Sequence, residues 1–127
     1  MKIEHIAIWT DDIERLKDFY IKYFNGKANK KYINPKKKFE SYFIEFESGA
    51  RIEIMKKPLV KAKDYDAEYR GYAHLAFSVG NKSIVEELTE LLKSDGYKIK
   101  SEPRTTGDGY YESTILDPDG NIIEITI

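Results

Sequence analysis

The tetrapeptide His5-Ile6-Ala7-Ile8 returns as His74-Leu75-Ala76-Phe77, and Gly49-Ala50-Arg51-Ile52-Glu53-Ile54 returns as Gly120-Asn121-Ile122-Ile123-Glu124-Ile125. The first match is offset by 69 residues (5 to 74) and the second by 71 (49 to 120). Two ordered matches at nearly one offset identify an internal repeat whose halves differ only by small loop changes. Between the anchors each half carries a helical pattern that closes on a glycine, at Asn25-Gly26 and at Asp95-Gly96.

The elements follow the same rhythm. Residues 2–9 alternate in the period of a strand. Asp11 with Glu14 reads as a capping box, followed by Ile13, Leu16, Phe19, Tyr20, Tyr23 and Phe24 at helical spacing. Strands are predicted near 27–34, 39–47 and 50–56, the last two joined at Ser48-Gly49. In the second half a strand over 71–79 precedes a helix with a Ser83/Glu86 capping box. Its predicted buried stripe is Val85, Leu88, Leu91 and Leu92, and Gly96 ends it. Strands near 97–103, 110–116 and 121–127 follow, with Asp117-Pro118-Asp119-Gly120 as the last turn. Each half therefore reads βαβββ, an α+β arrangement. Module one spans 1–56, a polar linker 57–70, and module two 71–127.

Composition narrows the function classes. At 127 residues the chain has the length of one domain. Its 41% apolar and 34% charged residues are an ordinary globular balance. Lys and Arg number 21 against 22 acids, so the basic excess of a nucleic-acid binder is missing. Without cysteine there is no disulfide framework, thiolate metal site or cysteine nucleophile. The opening Met1-Lys2-Ile3-Glu4-His5 is interrupted by charge before an apolar stretch develops, and no run is long enough to span a bilayer. A soluble, cytoplasmic domain with no membrane partner is expected.

Alternation assigns faces. Ile6 and Ile8 oppose His5, Ala7 and Trp9; Ile52 and Ile54 oppose Arg51, Glu53 and Met55. Leu75, Phe77 and Val79 oppose Tyr72, His74, Ala76 and Ser78; Ile123, Ile125 and Ile127 oppose Ile122, Glu124 and Thr126. Four strands thus pair an apolar face with a face bearing one histidine or carboxylate, which predicts a curved mixed sheet with a polar pocket on its concave side. His5 and His74 are the only histidines. With Glu53 and Glu124 they point to a divalent metal, since imidazole suits borderline ions and carboxylate suits harder ones. The alternative is a wetted sheet face with no ion.

The paired modules, the His5 and His74 strand motifs and the terminal segment Asp117-Pro118-Asp119-Gly120-Asn121-Ile122-Ile123-Glu124-Ile125 resemble the vicinal oxygen chelate superfamily over essentially the whole chain. That superfamily includes glyoxalase I, bleomycin-resistance proteins, fosfomycin-type thiol transferases and extradiol dioxygenases. The resemblance implies a single domain, 1–127, of two tandem βαβββ modules around a metal-binding cup. It implies His5, Glu53, His74 and Glu124 as ligands, with nickel, zinc, cobalt or manganese as cofactor.

The corresponding activity is that of a lactoylglutathione lyase-like enzyme, a metal-dependent lyase or isomerase acting on a thiohemiacetal or a similar small oxygenated substrate. In it the metal polarises adjacent oxygens and stabilises an enediolate. Glu124 is the expected base, with Glu53 its counterpart across the metal. A carboxylate at both positions favours this reading, because the transferase and dioxygenase pattern does not require Glu53. Glutathione-using members place an arginine four residues after the first histidine. Trp9 stands there instead, which leaves open glutathione, another thiol, or an unrelated oxygenated metabolite. The alternatives are a metal-free sequestration protein of the bleomycin-resistance type, or a thiol transferase or dioxygenase on the same fold.

Trp9, Arg104 and Tyr110 are the expected substrate contacts. Trp9 can wall a cavity or stack on a ligand, and ordinary packing is an equal alternative. Arg104 and Tyr110 lie in or beside a glycine-containing loop, Pro103 to Tyr111, whose alternative is an ordinary hairpin. Lys30, Lys31, Lys36, Lys37 and Lys38 read as a solvated edge. Each half has one histidine and one candidate glutamate, so the cup can form from the two halves of one chain or between halves of two chains. The resemblance implies a homodimer with two equivalent sites.

Overall fold

The computed structural model describes residues 3–61 and 70–127. The chain divides into two compact units, Met1–Lys63 and Asp64–Ile127. Most of the predicted linker, residues 62–69, lies outside the described residues.

In the first unit β1 (His5–Trp9) leads into α1 (Ile13–Phe24), followed by β2 (Lys27–Ala28), β3 (Tyr32–Asn34), β4 (Phe39–Glu45) and β5 (Arg51–Lys56). The sheet order is β1-β5-β4-β2, with β3 also on β4. The strand expected over 27–34 is thus two short strands on one partner. Between them Asn29 leaves the ladder, its side-chain oxygen accepting the Phe43 N–H at 2.9 Å. The helix is capped by Asp12, not Asp11: Asp12 Oδ1 accepts the Arg15 N–H at 3.1 Å. All six residues of the predicted stripe are buried, over a floor of Ile44, Ile52 and Ile54. Ile6 and Ile8 are only half-buried, because α1 lies over β2, β4 and β5 rather than over β1. Asn25 carries the left-handed turn at the helix end, with φ 54°. Gly26 is needed for a different reason, since a Cβ there would stand 2.4 Å from Ile44 Cγ2.

One polar cluster ties α1 to this sheet. Lys31 is not a solvated edge residue. Its Nζ lies 2.7 Å from Glu14 Oε1 and 3.0 Å from Glu40 Oε2, while Lys17 and the Tyr42 hydroxyl also donate to Glu14. Hydrogen bonds from Lys17 and Lys31 hold the Glu14 carboxyl down at about 2 from its ordinary 4.5. A depressed carboxyl stabilises the folded state wherever it is ionised, and that contribution fades as the pH falls from 4.5 toward 2. Glu14 is 47% exposed, so solvent screening keeps the effect within about 1 kcal/mol. Urea titrations of Glu14→Gln and the natural chain should accordingly differ at neutral pH and converge near pH 2. A constant gap across that range would contradict this.

The second unit repeats the plan: β6 (His74–Ser78), α2 (Lys82–Ser94), β7 (Ile99–Thr105), β8 (Tyr111–Leu116) and β9 (Ile122–Thr126), in sheet order β6-β9-β8-β7. Its core is Val85 and Leu92 over Ile115, Ile123 and Ile125. The N-cap is Asn81 rather than Ser83; Asn81 Oδ1 accepts the Ile84 N–H at 3.0 Å and the Ser83 hydroxyl at 2.7 Å. Leu91 points outward at 46% exposure, and Thr89 is buried in the stripe. Thr89 is tolerated there because its hydroxyl bonds Val85 O and Ser113 Oγ, each at 2.6 Å. The architecture is thus α+β, with two sheets of mixed strands and one helix against each. No described helix is long and apolar enough to cross a membrane.

Candidate functional site

In each unit the first strand pairs in parallel with the last, and this register sets the chemistry. Ala7 lies opposite Glu53 on β5, and Ala76 opposite Glu124 on β9. Side chains of like parity share a face, so each glutamate stands beside the histidine two residues before its alanine partner. His5 Nε2 is 3.7 Å from Glu53 Oε2, and His74 Nε2 is 3.2 Å from Glu124 Oε2. The four predicted ligands thus form two pairs, one per unit. Among the described residues of either unit, no third histidine, aspartate or glutamate joins a pair to make a metal-binding group.

Both pairs fit a divalent ion in donor type; in spacing the 3.2 Å of His74–Glu124 fits directly, while the 3.7 Å of His5–Glu53 is somewhat wider. Donors held about 2.1 Å from one ion lie about 3.0 Å apart along an octahedral edge and about 3.4 Å along a tetrahedral one. Both glutamates are more sheltered than their partners, with side chains 17% and 21% exposed against 36% for His5 and 43% for His74.

His5 has further support that the sequence did not signal. Its Nδ1 contacts Glu4 Oε2, and Glu4 Oε1 pairs with the Arg51 guanidinium. Phe43 makes a T-shaped contact with the imidazole, with ring centroids 5.2 Å apart, and Arg51 lies over the same Phe43 ring. A carboxylate on Nδ1 fixes that nitrogen as the donor, which leaves the Nε2 lone pair of neutral imidazole facing Glu53. Two lone pairs aimed at one another call for a cation between them, a proton or a metal.

The second unit contains a carboxylate missing from the sequence reading. Glu112 lies opposite Thr126 on β9 and opposite Arg104 on β7, which puts it on the Glu124 face. Burial first, and then the negative charge of Glu124, push its carboxyl above the usual range, while Arg104 draws it down. Alternation within β8 allowed two faces for Glu112, and only the register with β9 chooses between them. Arg104 therefore belongs to this face, its Nε also donating to Ser101 Oγ at 3.0 Å. Tyr110 sits exposed at the end of the loop, where its carbonyl accepts from Thr106.

Trp9 stands on the His5 face in a T-shaped contact with Phe39, centroids 6.2 Å apart, and Phe39 reaches Tyr32 at 6.1 Å. The Lys57 ammonium lies 4.5 Å over the indole. The two faces are therefore unlike: the first is rich in aromatic rings, while Glu112, Thr114, Glu124 and Thr126 make the second polar.

Family and structure comparisons agree with this architecture. The family model described as Glyoxalase/Bleomycin resistance protein/Dioxygenase superfamily matches residues 2–125. A Bacillus subtilis (strain 168) relative, the uncharacterized protein YqjT, is 27% identical over 97% of this chain and 96% of its own length. Glyoxalase I from Zea mays is 26% identical over 98% of this chain, with a TM-score of 0.82. This chain spans only 44% of the maize protein. A glyoxalase family protein from Enterococcus faecalis shares the fold at 24% identity and a TM-score of 0.82, covering 99% of this chain and 97% of its own.

Proposed function

Because this chain belongs to the glyoxalase/bleomycin resistance protein/dioxygenase superfamily, we propose that it is a metal-dependent lyase or isomerase of the glyoxalase I type. Its substrate in this reading is a thiohemiacetal or a similar small oxygenated molecule. The observation that carries the proposal is the His5 arrangement, in which Glu4 occupies Nδ1 and the remaining nitrogen faces a carboxylate. His5, Glu53, His74 and Glu124 would hold the ion, nickel, zinc, cobalt or manganese by donor type. The ion would supply Lewis-acid polarisation of neighbouring substrate oxygens.

The chain's own groups do the rest. Glu124 takes a proton from one substrate carbon and returns it to the next, and Glu53 is its counterpart. Glu112, whose carboxyl is pushed above the usual range first by burial and then by the charge of Glu124, stands on the same face as Glu124. Arg104 offers a fixed cation to an anionic substrate group, Trp9 offers a stacking surface, and Tyr110 closes the substrate side from the loop. A homodimer with two equivalent sites is the proposed assembly, located in the cytoplasm.

Metal content tests the reading. Purified protein should carry about one transition metal per chain. A positive result leads directly to screening thiohemiacetals for isomerisation. No metal, even after reloading with zinc, nickel, cobalt and manganese, would favour a metal-free binding protein, for which the aromatic face around Trp9 is the observation in support.

A further inference from the structure

The first unit's aromatic row has a chemistry of its own. Trp9, Phe39 and Tyr32 come from β1, β4 and β3 and lie edge to face or tilted across the sheet. Trp9 remains 38% exposed and Tyr32 53% exposed, an arrangement that offers ring faces and edges to a ligand rather than to a core.

The cations on this face are not equivalent. Arg51 is committed to Glu4. Lys57 sits over Trp9, and among the described residues no carboxylate pairs with it. An ammonium on an indole already occupies the position that a cationic ligand would want, so the charge remaining to be met is negative. Geometry also orients the ligand. Trp9 pairs with Met55, and Lys57 follows just beyond the end of β5, on the side of Trp9 away from His5. Between Trp9 and His5 the only side chain of β1 on this face is the small Ala7, across roughly 13 Å of strand.

We propose that this row is a subsite for a planar aromatic carboxylate, its ring against Trp9, its carboxylate on Lys57 and its opposite end directed over Ala7 toward His5 and Glu53. This names the substrate class for the proposed function and rests on reading this face as the substrate side. The ring-and-anion subsite itself needs no metal.

Trp9 is the only tryptophan, so intrinsic fluorescence reports from inside the subsite. The full chain is titrated without added metal, and again with zinc, using benzoate, cyclohexanecarboxylate and benzyl alcohol. Benzoate should change the emission saturably in both conditions. It should bind about tenfold more tightly than either analogue, and Lys57→Gln should weaken it by about tenfold, the scale of one charge-assisted contact. Lys57 is exposed, so the variant should keep its fold. No saturable response, equal responses to all three compounds, or an unchanged benzoate affinity in Lys57→Gln would each overturn the subsite. Because metal content is measured separately, loss of the subsite and loss of the metal reading give different results.

Discussion

Replacing Glu124 by glutamine should lower kcat/KM by about 10²–10⁴-fold, the contribution of a positioned proton-transfer group. The measurement uses a thiohemiacetal formed from a small 2-oxoaldehyde and a thiol, with metal-reloaded protein. Glutamine keeps the shape of the side chain and can still approach His74, so the change removes basicity and charge while leaving β9 in place. Glu124 is 21% exposed and lies between Ala76 and Thr114 in register, a position that tolerates an isosteric neutral group. Metal content of the same variant should also fall, since a carboxamide is a poorer ligand than a carboxylate. Turnover within about threefold of the natural chain would remove Glu124 from the role of base. Glu53→Gln would then become the decisive variant.

Phe19→Ala should destabilise the first unit by about 3–5 kcal/mol. Phe19 is 2% exposed, with ring centroids 5.2 Å from Tyr20, 5.2 Å from Tyr23 and 5.7 Å from Phe24. Truncation leaves a cavity bounded by rigid rings that cannot collapse into it. Natural domains hold only about 5–15 kcal/mol in all, so the variant should shift the urea midpoint far toward zero. A loss below about 1 kcal/mol would mean that these rings repack. The change lies on α1, remote in sequence from His5 and Glu53, and any activity lost with it would follow unfolding rather than chemistry.

The repeat, the strand parities and the faces that carry His5, Glu53, His74 and Glu124 were legible because each depends on short-range alternation. His5 with Glu53 and His74 with Glu124 needed only the assumption that the first and last strands of a module lie side by side. What escaped depends on partners distant in sequence or on local backbone angles. Asp12 and Asn81 displaced Asp11 and Ser83 as caps, because the side-chain oxygen must reach an N–H three residues ahead from a non-helical backbone. Thr89 entered the core in place of Leu91 because Ser113 supplies a buried partner from another element. Glu112 gained its neighbours from the register of β8 on β9. Glu4 gained its place through Arg51, an ion pair from the residue before β1 to the start of β5. Lys31 left the solvated edge for the same kind of reason, drawn in by Glu14 and Glu40.

The parallel pairing of first and last strands has a kinetic consequence. His5 and Glu53, like His74 and Glu124, are separated by roughly fifty residues of chain, so neither pair can meet until a long loop has closed. Contacts of such high sequence separation slow folding, whereas the hairpins β4–β5 and β8–β9 close far shorter loops. Each histidine–glutamate pair is therefore a marker of a finished module. An ion that needs both members of a pair would bind only chains whose last strand has docked, and would hold them against reopening.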